Sequence, residues 1–198
     1  MRSAVRHLKK SDPVLAAIIE RIGPPRFQSR PATFWALARA VVFQQLNGKA
    51  AATIFNRLEE AAGGELTPVS LLTLSDEQLR AVGLSKQKSG YVRDLAQKTH
   101  SGELDFAALP AMSDAEIIEH LTRIKGIGTW TAQMFLMFAL RRPNVLPTGD
   151  YGVRSAIKKL YRKRKLPTHT QIVKLARPWH PYCSIACWYL WRSMDTNL

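Results

Sequence analysis

Two predicted helical segments meet in the stretch LTRIKGIGTWTA, residues 121–132. Its two glycines, Gly126 and Gly128, flank one apolar residue and carry no side chain that would block a sharp turn. The first N–H groups of the second helix then point outward and, with the helix dipole, attract phosphate. A plain glycine-capped joint between helices is the alternative, and Lys125 in the turn favours phosphate contact. The stretch therefore predicts a helical hairpin that binds a nucleic-acid backbone through main-chain atoms.

The rest of the chain also has helical periodicity, and no stretch shows the convincing two-residue alternation of a strand. Two capping boxes, Ser75 with Gln78 and Ser113 with Glu116, mark helix starts. Glycine and proline leave only short connections between the segments, so the sequence predicts an all-α fold. The predicted helices cover residues 13–22, 31–46, 48–62, 75–82, 86–100, 113–124, 129–140, 150–163, 168–177 and 181–194.

Charge is distributed unevenly along the chain. The 198 residues carry a formal net charge of +14, and this length suits one compact unit or two packed lobes. From residue 121 onward, fourteen basic residues face only two acids, Asp150 and Asp195. Such an excess indicates a polyanionic partner, with nucleic acid ahead of an anionic membrane surface. Residues 154–165, seven of them basic, are either a solvated helix face or a further DNA contact.

The two cysteines, Cys183 and Cys187, are too few for a disulfide framework or for a four-ligand zinc or iron–sulfur site. They fit a reduced intracellular location, cytoplasmic or nuclear, and not a secreted protein. No apolar run approaches the roughly 18–20 residues that span a bilayer, so we expect no membrane insertion.

Asp150 is an isolated acid within this basic region, in the stretch LPTGDYGVR, residues 146–154. It stands where a helix begins, and aspartate is a favoured N-cap. Backbone N–H donors and the helix dipole at that position favour the charged carboxylate. A purely structural cap is the alternative. A fixed anion would repel DNA phosphates, and it is therefore best explained by a positive species opposite it, such as a cationic transition state.

Together these motifs resemble the helix-hairpin-helix, Gly/Pro-Asp (HhH-GPD) superfamily of base-excision DNA glycosylases, in which such a hairpin precedes a Pro-x-x-Asp-x-Gly motif, here Pro147 to Gly152. Three further segments are similar to the 3-methyladenine DNA glycosylase II (AlkA-type) branch. They are VFQQLNGKAA at 42–51, GLSKQK at 83–88 and WHPYCSIACWYLW at 179–191. The resemblance spans about residues 12–192. About eleven residues precede the first predicted helix, which implies the compact form without an N-terminal β domain.

The resemblance implies two helical lobes with an active-site cleft between them. Lobe A would cover about 24–109, lobe B about 1–23 with 110–198, and the hairpin about 113–140. The implied partner is duplex DNA that contains damaged bases, bound by a monomer.

The resemblance also implies the chemistry. Asp150 would stabilise the oxocarbenium-like sugar as the N-glycosidic bond of a 3-methyladenine or 7-methylguanine nucleotide breaks. Trp130 stands where bifunctional relatives carry a lysine nucleophile, so the implied enzyme releases the base without a lyase step. A non-catalytic DNA-binding protein and a glycosylase for another damaged base are the alternatives.

Further site residues are assigned by position. The base pocket is implied at Trp130, Met134, Trp191, Tyr151 and Phe43, and the duplex wedge at Leu46 and Gln45, where a simple interhelical turn is the alternative. The phosphate contacts are implied at Lys125, Gly126, Ile127, Gly128, Thr129, Ser85, Lys88 and Arg154. Carbonyls of Thr122, Ile124 and Ile127 match a site for Na⁺ or K⁺. No cofactor is required and no iron–sulfur cluster is expected. We expect Trp35, Trp179 and Trp188 to pack structurally.

Overall fold

The computed structural model describes residues 1–27 and 31–195, and within these ranges it contains helices and turns but no strand. The predicted all-α fold is confirmed. The α-helices of these residues are α1 Arg2–Ser11, α2 Pro13–Ile22, α3 Phe34–Phe43, α4 Gly48–Ala61, α5 Pro68–Leu72, α6 Asp76–Ala81, α7 Lys86–His100, α8 Asp114–Thr122, α9 Thr129–Phe138, α10 Tyr151–Leu160, α11 His169–Leu175 and α12 Cys183–Asp195. None of these helices has the length and apolar character that a bilayer crossing requires.

Two helices of the structure, α1 and α5, are not predicted from the sequence. Helix α1 is strongly charged, but it buries Ala4 and Leu8, which are one turn apart. The short α5 starts with a threonine capping box at Thr67. Two predicted helices extend three residues too far: α3 ends at Phe43 and α10 at Leu160. Gln45 and Arg162 follow these ends with φ values of 56° and 51°, and this left-handed conformation cannot continue a right-handed helix.

Both predicted capping boxes are present. The backbone N–H of Gln78 donates to Ser75 Oγ at 3.2 Å, and the N–H of Ser75 donates to Gln78 Oε1 at 2.7 Å. Ser113 and Glu116 repeat the arrangement at the start of α8. Each box satisfies two backbone groups that a helix start otherwise leaves unpaired, and so it defines where α6 and α8 begin.

The chain divides into two compact units. The central unit is Arg30–Phe135, and the terminal unit joins Met1–Ser29 to Leu136–Leu198. The resemblance implies that residues 110–135 lie in the same lobe as the C-terminus, whereas the structure groups them with the central unit. Within that unit α7 packs against α3, α5 and α6.

Contacts with α7 hold the turn of the hairpin within the central unit. Asp94 Oδ2 accepts the backbone N–H of Lys125 at 2.8 Å. One turn further along α7, Lys98 Nζ donates to the carbonyl of Arg123 at 2.8 Å. Both bonds join residues far apart in sequence, so local patterns do not reveal them. They hold the turn of the hairpin on α7.

The terminal unit is built around α12, which packs against α1, α2 and α10. A buried carboxylate, that of Asp12 at the N-cap of α2, joins elements of its core. Asp12 accepts backbone N–H groups of α2, the hydroxyl of Tyr161 at 2.6 Å and the indole N–H of Trp179 at 2.8 Å. Trp179 is fully buried, as predicted. The carboxylate joins α2 to the C-terminal end of α10.

Candidate active site

Asp150 is held in one orientation at the start of α10. Its Oδ1 accepts the backbone N–H of Val153 at 2.7 Å, and its own N–H donates to the carbonyl of Pro147 at 3.0 Å. The residue is 8% exposed. The predicted N-cap position is therefore confirmed, and the turn from Pro147 fixes the direction of the carboxylate.

A second donor reaches the same carboxylate oxygen from α12. The indole N–H of Trp191 donates to Asp150 Oδ1 at 2.8 Å. The Trp191 ring packs on Phe138, with ring centroids 5.9 Å apart and planes inclined by 30°. The resemblance implies base stacking for Trp191 and gives no role to Phe138. The structure adds the hydrogen bond from Trp191 that orients Asp150. Sequence spacing does not reveal this bond.

Gly152 leaves the space in which these two residues meet. A Cβ atom at this position would lie 2.9 Å from Trp191 Cδ1 and 3.1 Å from Asp150 Oδ1. The first distance is shorter than real Cβ contacts, so any larger residue would displace the indole or the carboxylate. The Pro-x-x-Asp-x-Gly spacing already singled out this glycine, but only the structure gives the physical reason for it.

The two cysteines of α12 are buried in the same unit. Burial raises the pKa of the Cys183 thiol to about 12. Burial also raises the pKa of Cys187, and the charges of Cys183 and Asp150 raise it further. Both side chains are therefore neutral thiols and neither nucleophiles nor thiolate ligands. Within residues 1–27 and 31–195, no group of three or more His, Cys, Asp or Glu side chains has the arrangement of a metal site.

The hairpin turn lies directly on the ring of Tyr91. Gly126 has a φ of 80°, and a Cβ atom there would overlap the Tyr91 ring. Gln44 Nε2 donates to the carbonyl of Gly126 at 2.9 Å, a link that the sequence analysis missed and that no local pattern signals. These contacts hold the turn with Lys125 on its exposed side.

Beyond the turn, Gly128 and Thr129 are exposed, and no residue of the described ranges accepts their backbone N–H groups. Phosphate contact through these two groups stays a prediction. Ile127 differs from the prediction, because its N–H donates to the carbonyl of Ile124 at 3.1 Å and its side chain is buried. Ile127 therefore shapes the turn.

Ser85 and Lys88 were predicted to contact phosphate, and the structure gives both a structural role. Ser85 Oγ accepts the N–H of Lys88 as the N-cap of α7. Lys88 Nζ donates to the carbonyls of Val42 and Gln44, both at 2.6 Å. Burial lowers the pKa of Lys88. Its ammonium group satisfies carbonyls at the C-terminal end of α3, where the helix leaves them unpaired.

Arg154, a third predicted phosphate contact, is also engaged within the protein. Its Nε donates to the carbonyl of Pro167 at 3.1 Å. The bond ties the segment after α10 back to the first turns of that helix.

The predicted base-contacting residues have different surroundings. Trp130, in the first turn of α9, is 50% exposed, and Met134 on the same helix is half-buried. Tyr151, which follows Asp150, is 72% exposed. Phe43 is already packed: the guanidinium carbon of Arg39 lies 3.7 Å from its ring centroid.

The predicted wedge lies in the turn between α3 and α4. Leu46 is 40% exposed. Gln45 precedes it in the left-handed conformation, so the turn projects from the end of α3. A non-glycine residue held at positive φ costs on the order of 1–3 kcal/mol.

Comparisons with known proteins agree with this geometry. Residues 38–181 match the model of the HhH-GPD superfamily base excision DNA repair protein. The DNA-3-methyladenine glycosylase 1 of Schizosaccharomyces pombe is 35% identical over 94% of this chain and 85% of its own. The solved S. pombe 3-methyladenine DNA glycosylase, in complex with abasic DNA, superposes with a TM-score of 0.87 at 34% identity, covering 98% and 97% of the two chains. A DNA-3-methyladenine glycosidase from Bacillus halodurans gives 0.90 at 39%, covering 98% and 90%.

The chain therefore belongs to the HhH-GPD superfamily of base excision DNA repair proteins. Within that superfamily it is similar to the DNA-3-methyladenine glycosylases over nearly its whole length. The resemblance predicted from the hairpin and the Asp150 motif is confirmed.

Proposed function

We propose that this chain removes alkylated purines from duplex DNA by hydrolysing the N-glycosidic bond. One observation carries the proposal: a single carboxylate, Asp150, is oriented by two N–H donors on one oxygen in the most basic part of the chain. Relatives named as 3-methyladenine glycosylases support alkylated purines as the substrates.

In the proposed reaction the bond between C1′ and the base nitrogen breaks, and the electron pair leaves with the base. The sugar then carries positive charge, which the Asp150 carboxylate stabilises. A water molecule, oriented by Asp150, forms the new bond to C1′ and releases its proton to the surrounding water. A purine methylated on the ring is cationic and leaves as a neutral base, so no strong general acid is needed.

Trp130 supports hydrolysis without strand cleavage. A lyase step requires a side-chain amine that attacks C1′ and forms a Schiff base. Trp130 occupies the position of that amine in bifunctional relatives and has no nucleophilic group. We therefore expect an intact abasic site as the product.

The remaining site assignments are proposals as well. Trp130, Met134, Trp191 and Tyr151 are proposed to contact the extruded base, because aromatic faces attract cationic rings by about 0.5–2 kcal/mol. Leu46 is proposed to fill the gap in the duplex, with Gln45 as its neighbour.

Three further proposals concern the state of the protein. Carbonyl oxygens of Thr122, Ile124 and Ile127 are neutral ligands of the type that Na⁺ or K⁺ accepts, although Ile124 O also accepts the N–H of Ile127. A bound ion would supply positive charge beside a phosphate. We also propose that the protein acts as a monomer and inside the cell.

The test is identification of the released bases. Methylated duplex DNA is incubated with the protein, and mass spectrometry identifies free bases. We expect 3-methyladenine and 7-methylguanine from the parent and from Asp195→Asn, which removes an exposed acid in the same basic region. The same assay is run on otherwise identical duplexes that carry an oxidised or a mismatched base. Release of only those bases would show that the substrate is another lesion. Tight binding with no release of any base would indicate a non-catalytic DNA-binding protein.

A further inference from the structure

A cationic groove runs along one side of α10. It encloses about 530 Å³ and is lined by Tyr151, Ser155, Lys158, Lys159, Lys163 and Leu166. No acidic side chain is among the lining residues. Within the described residues, none of the three lysines forms an ion pair. The groove therefore has three positive charges that the protein itself does not neutralise.

The end of α10 is shaped so that its lysines converge. Arg162 follows the helix with a φ of 51°, a conformation that glycine adopts at lower cost. The turn lets the N–H of Lys163 donate to the carbonyl of Lys158 at 2.9 Å. The bond from Arg154 to Pro167 holds the returning segment against the helix. Lys163 is thereby folded back towards Lys158 by the backbone.

Helix stability explains only part of this cluster. Lys158 and Lys159 lie in the last turn of α10, where positive charge interacts favourably with the helix dipole. Lys163 lies beyond the helix end and adds a like charge to the two already there. Close like charges repel, and a bound polyanion would offset that repulsion.

We propose that this groove binds consecutive backbone phosphates of the DNA strand, next to the nucleotide at Asp150. The groove begins at Tyr151, the residue after Asp150 in the chain. From Tyr151 to Lys158 the helix rises by roughly 10 Å, so the lysines lie about three nucleotide steps of one strand from Tyr151. Lysine ammonium groups contact phosphate without reading bases. The proposal rests on the proposed function, since that function places a DNA nucleotide at Asp150.

The experiment compares two triple variants with equal loss of charge. Lys158→Gln, Lys159→Gln and Lys163→Gln remove the groove lysines. Arg2→Gln, Arg6→Gln and Lys10→Gln remove three charges of α1 as the control. Binding of a 20-base-pair duplex with one abasic site is measured between about 50 and 300 mM salt. Log of the DNA-binding constant falls linearly with log of the salt concentration, and each lost phosphate contact reduces the steepness of that slope by about 0.9.

We expect the groove variant to lower that slope by two to three and the α1 variant to leave it within 0.5. The excision rate at saturating DNA is expected to be unchanged in both, because these side chains do not contact Asp150. An unchanged slope in the groove variant, or an equal loss in both variants, would overturn the proposal. If the groove triple variant unfolds, Lys163→Gln alone tests the same point with an expected loss of about one.

Two controls separate the other readings. The duplex is then shortened on either side of the lesion in turn. Only the truncation that removes the DNA bound by the groove should abolish the difference in salt slope between the parent and the groove variant. Groove-dependent binding to anionic lipid vesicles, without an effect on DNA, would assign the groove to a membrane surface and overturn the proposal. A parent that binds DNA with the groove-dependent slope but excises nothing would overturn the proposed function alone.

Discussion

Replacing Trp191 by phenylalanine removes one hydrogen bond from Asp150 and leaves most of the ring packing in place. The indole N–H donates to Asp150 Oδ1 at 2.8 Å, and the ring contacts Phe138. Phenylalanine keeps an aromatic ring for that contact but has no donor. A hydrogen bond to a charged group contributes about 1.5–3 kcal/mol, and each 1.36 kcal/mol is about tenfold in rate. We therefore expect excision to slow roughly 10- to 150-fold.

The assay is single-turnover release of 7-methylguanine with protein in excess, so that the rate reports the step after binding. Trp188→Phe is the matched control: it makes the same change on the same helix, where the ring stacks on Phe27. We expect Trp188→Phe to excise within about threefold of the parent. Gly152→Ala should reproduce the Trp191→Phe defect, since its Cβ would displace the indole. A folded Trp191→Phe protein with the parent rate would refute the positioning role of Trp191.

Three further predictions concern stability and reactivity. Gly126→Ala places a side chain at a positive φ and in overlap with Tyr91. We expect the free energy of unfolding, measured in urea, to fall by about 3 kcal/mol. Gly128→Ala is the control and should keep the parent stability, because the space around Gly128 is open. Asp12→Ala leaves the Tyr161 hydroxyl and the Trp179 N–H without their acceptor. We therefore expect the free energy of unfolding to fall by about 3–5 kcal/mol. A fall of less than about 1 kcal/mol would contradict this description of the core. Burial raises the pKa of Cys183 to about 12 and raises that of Cys187 well above its usual value. Unfolded thiols ionise near about 8.5, so the thiols' contribution to stability is complete below that pH and decreases as pH rises towards 12. Cys183→Ala with Cys187→Ala should reduce that alkaline loss, and thiol labelling of the native parent at pH 8 should be much slower than in urea.

The local features of this fold could be predicted from sequence because they depend on neighbouring residues. Helix periodicity, the capping boxes at Ser75 and Ser113 and the N-cap at Asp150 each involve contacts within a few positions. Helix α1 was missed because its high charge concealed a buried stripe of only Ala4 and Leu8. The early end of α3 was missed because no local signal marks Gln45 as left-handed.

The parts that could not be predicted depend on contacts between distant residues. Lys88 has the composition of a phosphate contact, yet its ammonium group donates to carbonyls at the end of α3, more than forty positions away. Trp191 and Asp150 are similarly separated, and their hydrogen bond depends on how α12 packs on α10. The resemblance to glycosylases predicted which residues matter. The structure was needed to show which atoms meet.

The most direct test of the account compares excision and DNA binding in Asp150→Asn on the same methylated duplex. Asparagine keeps the size and the N-cap function but removes the charge that would stabilise the sugar cation. We expect single-turnover excision to fall by roughly 10²–10³-fold. DNA affinity should be equal to or higher than that of the parent, because a negative charge near phosphates is removed. Excision at the parent rate by a folded Asp150→Asn protein would contradict the account.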